Sequence, residues 1–273
     1  MRGFRSTSTS TSTSTAVSPD MDIYVRGPVD TATIAYAQAE VARAADTGLP
    51  VQHLKTKIAE YGERGRPPLC VAQVNVEVDG RLVRRQAAAP TIVQAIDRIT
   101  AALPPALHRL TTHLSDRVGP PAFTGEQWQH NREPRPVPTY ARPHRHPRGL
   151  VRHKACPLAV QNPAAAALTM DLRDYDFYLF TDDHDGQDRI VYRAGPTGYR
   201  MATVSATTAT DRVADSPVVA DSDPMPSLTL PEAIRRLDTS GRAFLIFAGA
   251  ATTRGEILYR RYDGHLGLVT PIW

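Results

Sequence analysis

The sequence predicts an α+β protein of several modules. An N-terminal β-α-β-β-β-α domain on a mixed sheet comes first, then a basic Pro-rich linker, then two tandem, small, mainly-β repeats that pair as a pseudo-dimer. Three observations carry this reading. Apolar and polar residues alternate strictly in several short runs, as half-buried strands require. A shift of 67 residues lays one C-terminal segment on another, the mark of an internal repeat. The 23 prolines outnumber the 17 glycines and cluster mid-chain, where they stiffen a connection between modules. With 41% hydrophobic and 22% charged residues among 273, the composition is that of a globular chain. No apolar run nears the roughly 18–20 residues of a membrane span. Two cysteines and no signal-peptide pattern fit a reducing cytoplasm.

Residues 1–19 (MRGFRSTSTSTSTSTAVSP) are a Ser/Thr repeat without apolar periodicity. Nothing there offsets the entropy of ordering, so a disordered tail is predicted. Its acid-poor, Arg- and Ser-containing composition also resembles a transit peptide, yet so simple a repeat makes no amphipathic helix. In the block 20–118, Ile23 and Val25 alternate with Tyr24 and Arg26 as a first strand. Asp30 or Thr31 caps a helix from about 31 to 46, with Ile34, Ala37 and Val41 at helical spacing and Gly48 behind it. A strand near 51–61 turns Leu54, Thr56 and Ile58 one way and Lys55 and Lys57 the other. After the loop 62–68, Val74, Val76 and Val78 alternate with Gln73, Asn75 and Glu77. Asp79-Gly80 then makes a hairpin turn into Arg81–Ala89. The last helix starts near Thr91 with Ile92, Ile96, Ile99 and Leu103 on one face. Pro104-Pro105 interrupts a stripe that Leu107, Leu110 and Leu114 resume, so a kinked helix or two short ones is predicted.

Residues 119–154 are Pro-, Arg- and His-rich without periodicity and read as a linker. From 132 to 154, seven Lys and Arg stand against one Glu, a local excess above the +4 of the whole chain. Beyond it, the 67-residue shift lays Ala166 on Ala233, Asp171 on Asp238, Phe180 on Phe247, Tyr192 on Tyr259 and Arg193 on Arg260. Repeat 1 spans 155–204 and repeat 2 spans 225–273, with an acidic linker at 205–224. Each copy reads helix, strand, turn, strand, a Gly198 or Gly264 turn, and a last short strand. A unit of about 45 residues cannot build a sufficient core alone, so the copies are predicted to pair.

The segment LTLPEAIRRLDTSGRAFLIF…GEILYRRYDGHLGLVTP (228–271) resembles the C-terminal domain of long ribosome hibernation promoting factors, the S30AE/sigma-54 modulation family. The order of elements in 20–118, with VNVEVDGRLVRRQAAAPTIVQAIDRI (74–99), is similar to that family's N-terminal domain. Two C-terminal copies resemble its mycobacterial, dormancy-associated branch. The resemblance implies binding to the small ribosomal subunit, at the decoding region and the channel for messenger and transfer RNA. It implies inhibition of translation and protection of idle ribosomes. In the ordinary long forms one C-terminal domain homodimerises and pairs two ribosomes. A tandem repeat would satisfy that surface within one chain, leaving a monomer on single ribosomes. The rivals are a long form that still pairs ribosomes, and a non-ribosomal protein-binding module.

Binding 16S ribosomal RNA calls for Lys and Arg aimed at phosphates. The candidates are Lys55 and Lys57 on their strand; Arg81, Arg84 and Arg85 on the hairpin; and Arg109, His113 and Arg117 on or after the last helix. Helix 31–46 adds only Arg43, fewer cations than family members carry there. The linker adds Arg132, Arg135, Arg142, Arg145, Arg148, Arg152 and Lys154, held extended by proline. Repeat–repeat interface residues are predicted to be Phe177, Leu179, Phe180, Val191 and Tyr192 with Leu245, Phe247, Leu258 and Tyr259. His144, His146, His153 and Cys156 match no standard zinc spacing, and Asp182–Gly186 reads as a hairpin turn rather than a calcium loop. Cys70 reads as a buried structural thiol. No nucleophile elbow, phosphate-binding loop or zinc-protease motif is present, so neither an enzyme nor a cofactor is predicted. The partners predicted are the ribosome's RNA and small-subunit proteins, not DNA or membrane.

Overall fold

The computed structural model describes residues 20–62, 67–115, 149–194, 198–204 and 218–272. The first sheet has the order β1-β2-β3-β4, from β1 (Asp20–Arg26), β2 (Val51–Tyr61), β3 (Leu69–Val78) and β4 (Arg81–Ala89). β1 runs parallel to β2, and the other pairs are antiparallel. The crossover from β1 to β2 is α1 (Thr31–Ala45), whose N-cap Asp30 accepts from the Thr33 amide. Between β3 and β4, Asp79 and Gly80 both take positive φ (48° and 71°), the geometry a two-residue hairpin turn favours. Period-two alternation puts Leu54, Ile58, Val74, Val76 and Val83 on one face, where α1 and α2 (Ile92–Ser115) cover them.

One continuous α2 replaces the alternative of two short helices. Pro104 and Pro105 lie inside it. Proline removes backbone donors at that turn, but Leu103, Ala106, Leu107 and Leu110 are all fully buried. Burying that stripe outweighs the lost hydrogen bonds. Arg85 Nε also donates to the Ala102 carbonyl at 3.3 Å beside the same turn.

The two repeats have the same build. In the first, β6 (Val160–Gln161), α3 (Pro163–Leu172), β7 (Phe177–Asp182), β8 (Asp188–Arg193) and β9 (Tyr199–Thr203) follow in order. In the second come β11 (Ser227–Leu228), α4 (Leu230–Ser240), β12 (Phe244–Gly249), β13 (Gly255–Arg260) and β14 (Leu266–Pro271). Each helix begins on a cap: Asn162 accepts from the Ala165 amide, and Thr229 with Glu232 forms a capping box. An ion pair recurs as well, Arg193 with Asp171 and Arg260 with Asp238.

The fifth strand of each sheet comes from outside its own repeat. β5 (Leu150–Cys156), ahead of repeat 1, pairs in parallel with β14 of repeat 2. β10 (Val218–Ala220), ahead of repeat 2, pairs in parallel with β9 of repeat 1. The registers correspond under the 67-residue shift: Arg152 lies opposite Gly267 and Val219 opposite Arg200. This is a reciprocal strand exchange. It corrects two element readings, because 150–154 and 218–220 fall in stretches read as linker and β5 runs on to Cys156. Their sequences show no alternation because β5 is solvated on both faces, exposed at every residue but Cys156.

The sheets then meet face to face. Leu179, Ile190 and Ala202 of repeat 1 pack with Met225, Ala248 and Ile257. The Phe177 ring lies 5.2 Å from Phe244 and 5.8 Å from Tyr259. Arg254 Nε meets Asp188 at 2.7 Å across the same contact. The interface set read from the sequence therefore divides. Phe177, Leu179, Tyr192 and Tyr259 do face the other copy. Phe180 and Val191 instead pack under α3, and Leu245, Phe247 and Leu258 under α4. The reason is the period of two: successive strand residues point to opposite faces. Ile190, Phe244, Ile246 and Ile257, with Ala202, Met225 and Ala248, are among the interface residues that the reading left out. No helix among the described residues is long and apolar enough to cross a membrane.

Candidate nucleic-acid interface

The face of the first sheet opposite its helices is polar and carries rows of residues across the strands. Asp22, Lys55, Asn75 and Arg84 are successive register partners, as are Tyr24, Lys57, Gln73 and Gln86. Lys55 Nζ sits 4.4 Å from the centre of the Tyr24 ring, and Arg26 lies 5.3 Å from that of Tyr61. Tyr24 is 48% exposed. Cations held over rings on the polar face of a sheet offer both a phosphate contact and a stacking surface. The sequence reading took Lys55, Lys57 and Arg84 from this group and missed Tyr24, Arg26 and Tyr61. The alternation of β1 already placed Tyr24 outward, and only the pairing of β1 with β2 brings it to Lys55.

The remaining candidates scatter. Arg81 is exposed at the hairpin end. Arg85 turns to the helix-covered side and is only 3% exposed, bonded to the carbonyls of Asp171 and Leu172. In this arrangement it offers no surface to RNA. Arg109 is half-buried; burial lowers its pKa, opposed by Asp171 and Tyr199 nearby. Arg152 and Lys154 are exposed on the outer strand β5, not on an extended linker. Arg117, Arg132, Arg135, Arg142, Arg145 and Arg148 lie outside the described residues, as does the side chain of His113.

Metal-ligating chemistry does not assemble among the described residues, which contain no cluster of three or more His, Cys, Asp or Glu suited to an ion. His144 and His146 lie outside them. His153 Nε2 is 2.8 Å from Thr270 Oγ1, and Cys156 Sγ donates to the Lys154 carbonyl at 3.7 Å. Two of the three acids of Asp182–Gly186 are taken up by Arg189, at 2.7 Å from Asp182 and 2.6 Å from Asp185, in a hairpin turn. Cys70 is buried, and burial pushes its thiol pKa up.

The layout defines a class: an α+β protein with one open-faced module and a pseudo-two-fold pair of strand-exchanged repeats. Comparison with known proteins specifies it. Residues 145–201 and 216–268 each match the model for the sigma 54 modulation/S30EA ribosomal protein C terminus. Over 213 residues the chain is 36% identical to the dormancy associated translation inhibitor of Mycobacterium tuberculosis, in each of two strains. That alignment covers 74% of this chain and 70% of the relative. The chain belongs to the sigma 54 modulation/S30EA ribosomal protein family. It is also similar to a ribosomal subunit interface protein from Coxiella burnetii (12% identity, TM-score 0.28, 33% of this chain and 97% of that one). The N-terminal domain of Protein Y from Thermus thermophilus is matched with 20% identity and TM-score 0.28, over 33% of this chain and 98% of that one.

Proposed function

We propose that the chain is a cytoplasmic ribosome hibernation factor. It binds the small ribosomal subunit at the decoding region and the channel for messenger and transfer RNA. There it inhibits translation and protects idle single ribosomes during dormancy or stress. It works by occupancy and catalyses no reaction. The family, the translation-inhibitor relative and the cationic, aromatic sheet face support the binding.

The single-ribosome mode rests on one observation, the reciprocal strand exchange. β5 completes the sheet of repeat 2 and β10 that of repeat 1, while the inner faces bury against each other. A surface already filled from within the chain has nothing left for a second copy. The basic stretch 132–154 leads into the repeat pair and gives the chain a second hold on phosphate.

Binding is tested by co-sedimentation of the purified chain with small subunits over a salt series. Phosphate contacts release counterions, so affinity should fall linearly on a log–log plot against salt. Replacing both Lys55 and Lys57 by Ala should flatten that slope by about 1.4, near 0.7 per single-stranded phosphate contact. Absence of binding even at low salt would remove the ribosome from the account.

A further inference from the structure

The turn after α3 differs from its counterpart 67 residues on. Both Asp174 and Gly241 take left-handed backbone, with φ 56° and 66°. Glycine adopts that conformation without strain, whereas an L side chain resists it. Repeat 2 carries the residue suited to the turn, and repeat 1 carries a carboxylate instead.

That carboxylate has a task. Asp174 is fully buried, and its Oδ2 accepts the Gln86 backbone N–H at 2.8 Å. Gln86 lies on β4, the edge strand of the N-terminal sheet. On either side an arginine grips the C-terminal end of α3. Arg84 Nη1 donates to the carbonyls of Arg173 and Asp174, each at 3.2 Å. Arg85 Nη1 donates to those of Asp171 and Leu172, each at 3.1 Å. The last carbonyls of a helix form its negative end, where a guanidinium is well placed, and that of Asp171 also accepts the Asp174 amide at 3.1 Å. The Arg84 guanidinium also lies 5.2 Å from the Tyr175 ring, and Leu172 joins the N-terminal core.

We propose that residues 171–175 are an intramolecular plug, which docks repeat 1 on the β4 edge, anchored by Arg85, and keeps Arg84 from RNA. A guanidinium fork spent on carbonyls is not available to phosphate oxygens. The chain therefore has a closed state, with β4 covered and both arginines engaged. In its open state the turn withdraws and Arg84 joins Lys55 and Lys57 on the polar face. The RNA half of this inference rests on the ribosome-binding reading, but the docking half does not.

The test compares the full chain with Asp174→Gly, which keeps the left-handed turn and removes only the carboxylate. Gly241→Asp plants the same group in repeat 2 as a control. Hydrogen exchange at the Gln86 amide should accelerate at least tenfold in Asp174→Gly and stay unchanged in Gly241→Asp. Unchanged exchange in Asp174→Gly would overturn the plug. Affinity of Asp174→Gly for small subunits should rise up to about tenfold, because a binding-competent state held at a minor fraction lowers apparent affinity by that fraction. Its salt dependence should steepen as one more cation, Arg84, reaches phosphate. Faster exchange with unaltered affinity and salt slope would overturn the masking of Arg84. If neither protein bound small subunits while exchange accelerated, the docking would be upheld and the ribosomal reading would fall.

Discussion

Asp171 and Asp238 occupy the same position in two copies, and their surroundings set very different energetic weights. Asp171 is nearly inaccessible and bonds both Arg193 and the Tyr199 hydroxyl. Asp238 is partly exposed and meets Arg260 at a longer 3.4 Å. Removing one partner of a buried pair strands the other, while an exposed pair contributes little. Asp171→Ala should therefore cost about 3 kcal/mol in urea unfolding, and Asp238→Ala under about 1 kcal/mol. Equal losses would show that the two copies carry the pair alike. Tyr192 supplies a pH dependence. Burial, then its hydrogen bond to Asp221, pushes its pKa up to about 12 from 10.0. The folded state thus holds the phenolic proton more tightly than the unfolded chain. That contribution is full below pH 10 and is lost as pH rises towards 12. Alkaline unfolding of wild type against Tyr192→Phe should show the extra loss only in wild type. The sequence made Asp171 and Tyr192 visible as repeat positions, but nothing in it distinguished the buried copy from the exposed one.

Most elements were legible because period and punctuation agreed. Asp30 and Ala45 bound α1, Asp79-Gly80 turns the hairpin, and both repeat helices fall where the shift put them. Two of the departures have physical reasons. β5 has no buried face, so no alternation marks it. α2 survives a proline pair because tertiary burial overrides local propensity. Pro105 is exposed within that helix, so Pro105→Ala should raise stability by about 1–2 kcal/mol, below the full propensity gap because the unfolded chain also gains freedom. A lower melting temperature in that variant would mean that the proline fixes a bend the packing requires. The exchanged strands imply that neither repeat is an independent unit. A chain ending at 204 lacks β10 and exposes Leu179 and Ile190 of the inner face. Its repeat 1 should lose cooperative unfolding or aggregate, as read by near-UV circular dichroism and light scattering. A soluble, cooperatively folded repeat 1 would contradict the exchange.

At the scale of the molecule, the 67-residue shift made the pairing of copies legible, since two small faces must be buried somewhere. It did not show which residues face the partner copy, or that each copy lends the other a strand. Nor did it show that the first repeat leans on the N-terminal sheet, because contacts such as Gln86 to Asp174 join residues 88 apart with no periodic signature. A chain that completes its own pseudo-dimer, as proposed above, would occupy ribosomes singly. Sucrose-gradient sedimentation of ribosomes with the full-length protein, each fraction blotted for it, tests this directly. The protein should travel on single ribosomes with no paired-ribosome peak. A paired peak carrying the protein would show that the repeats join between chains, and the intramolecular exchange would not be the state that acts.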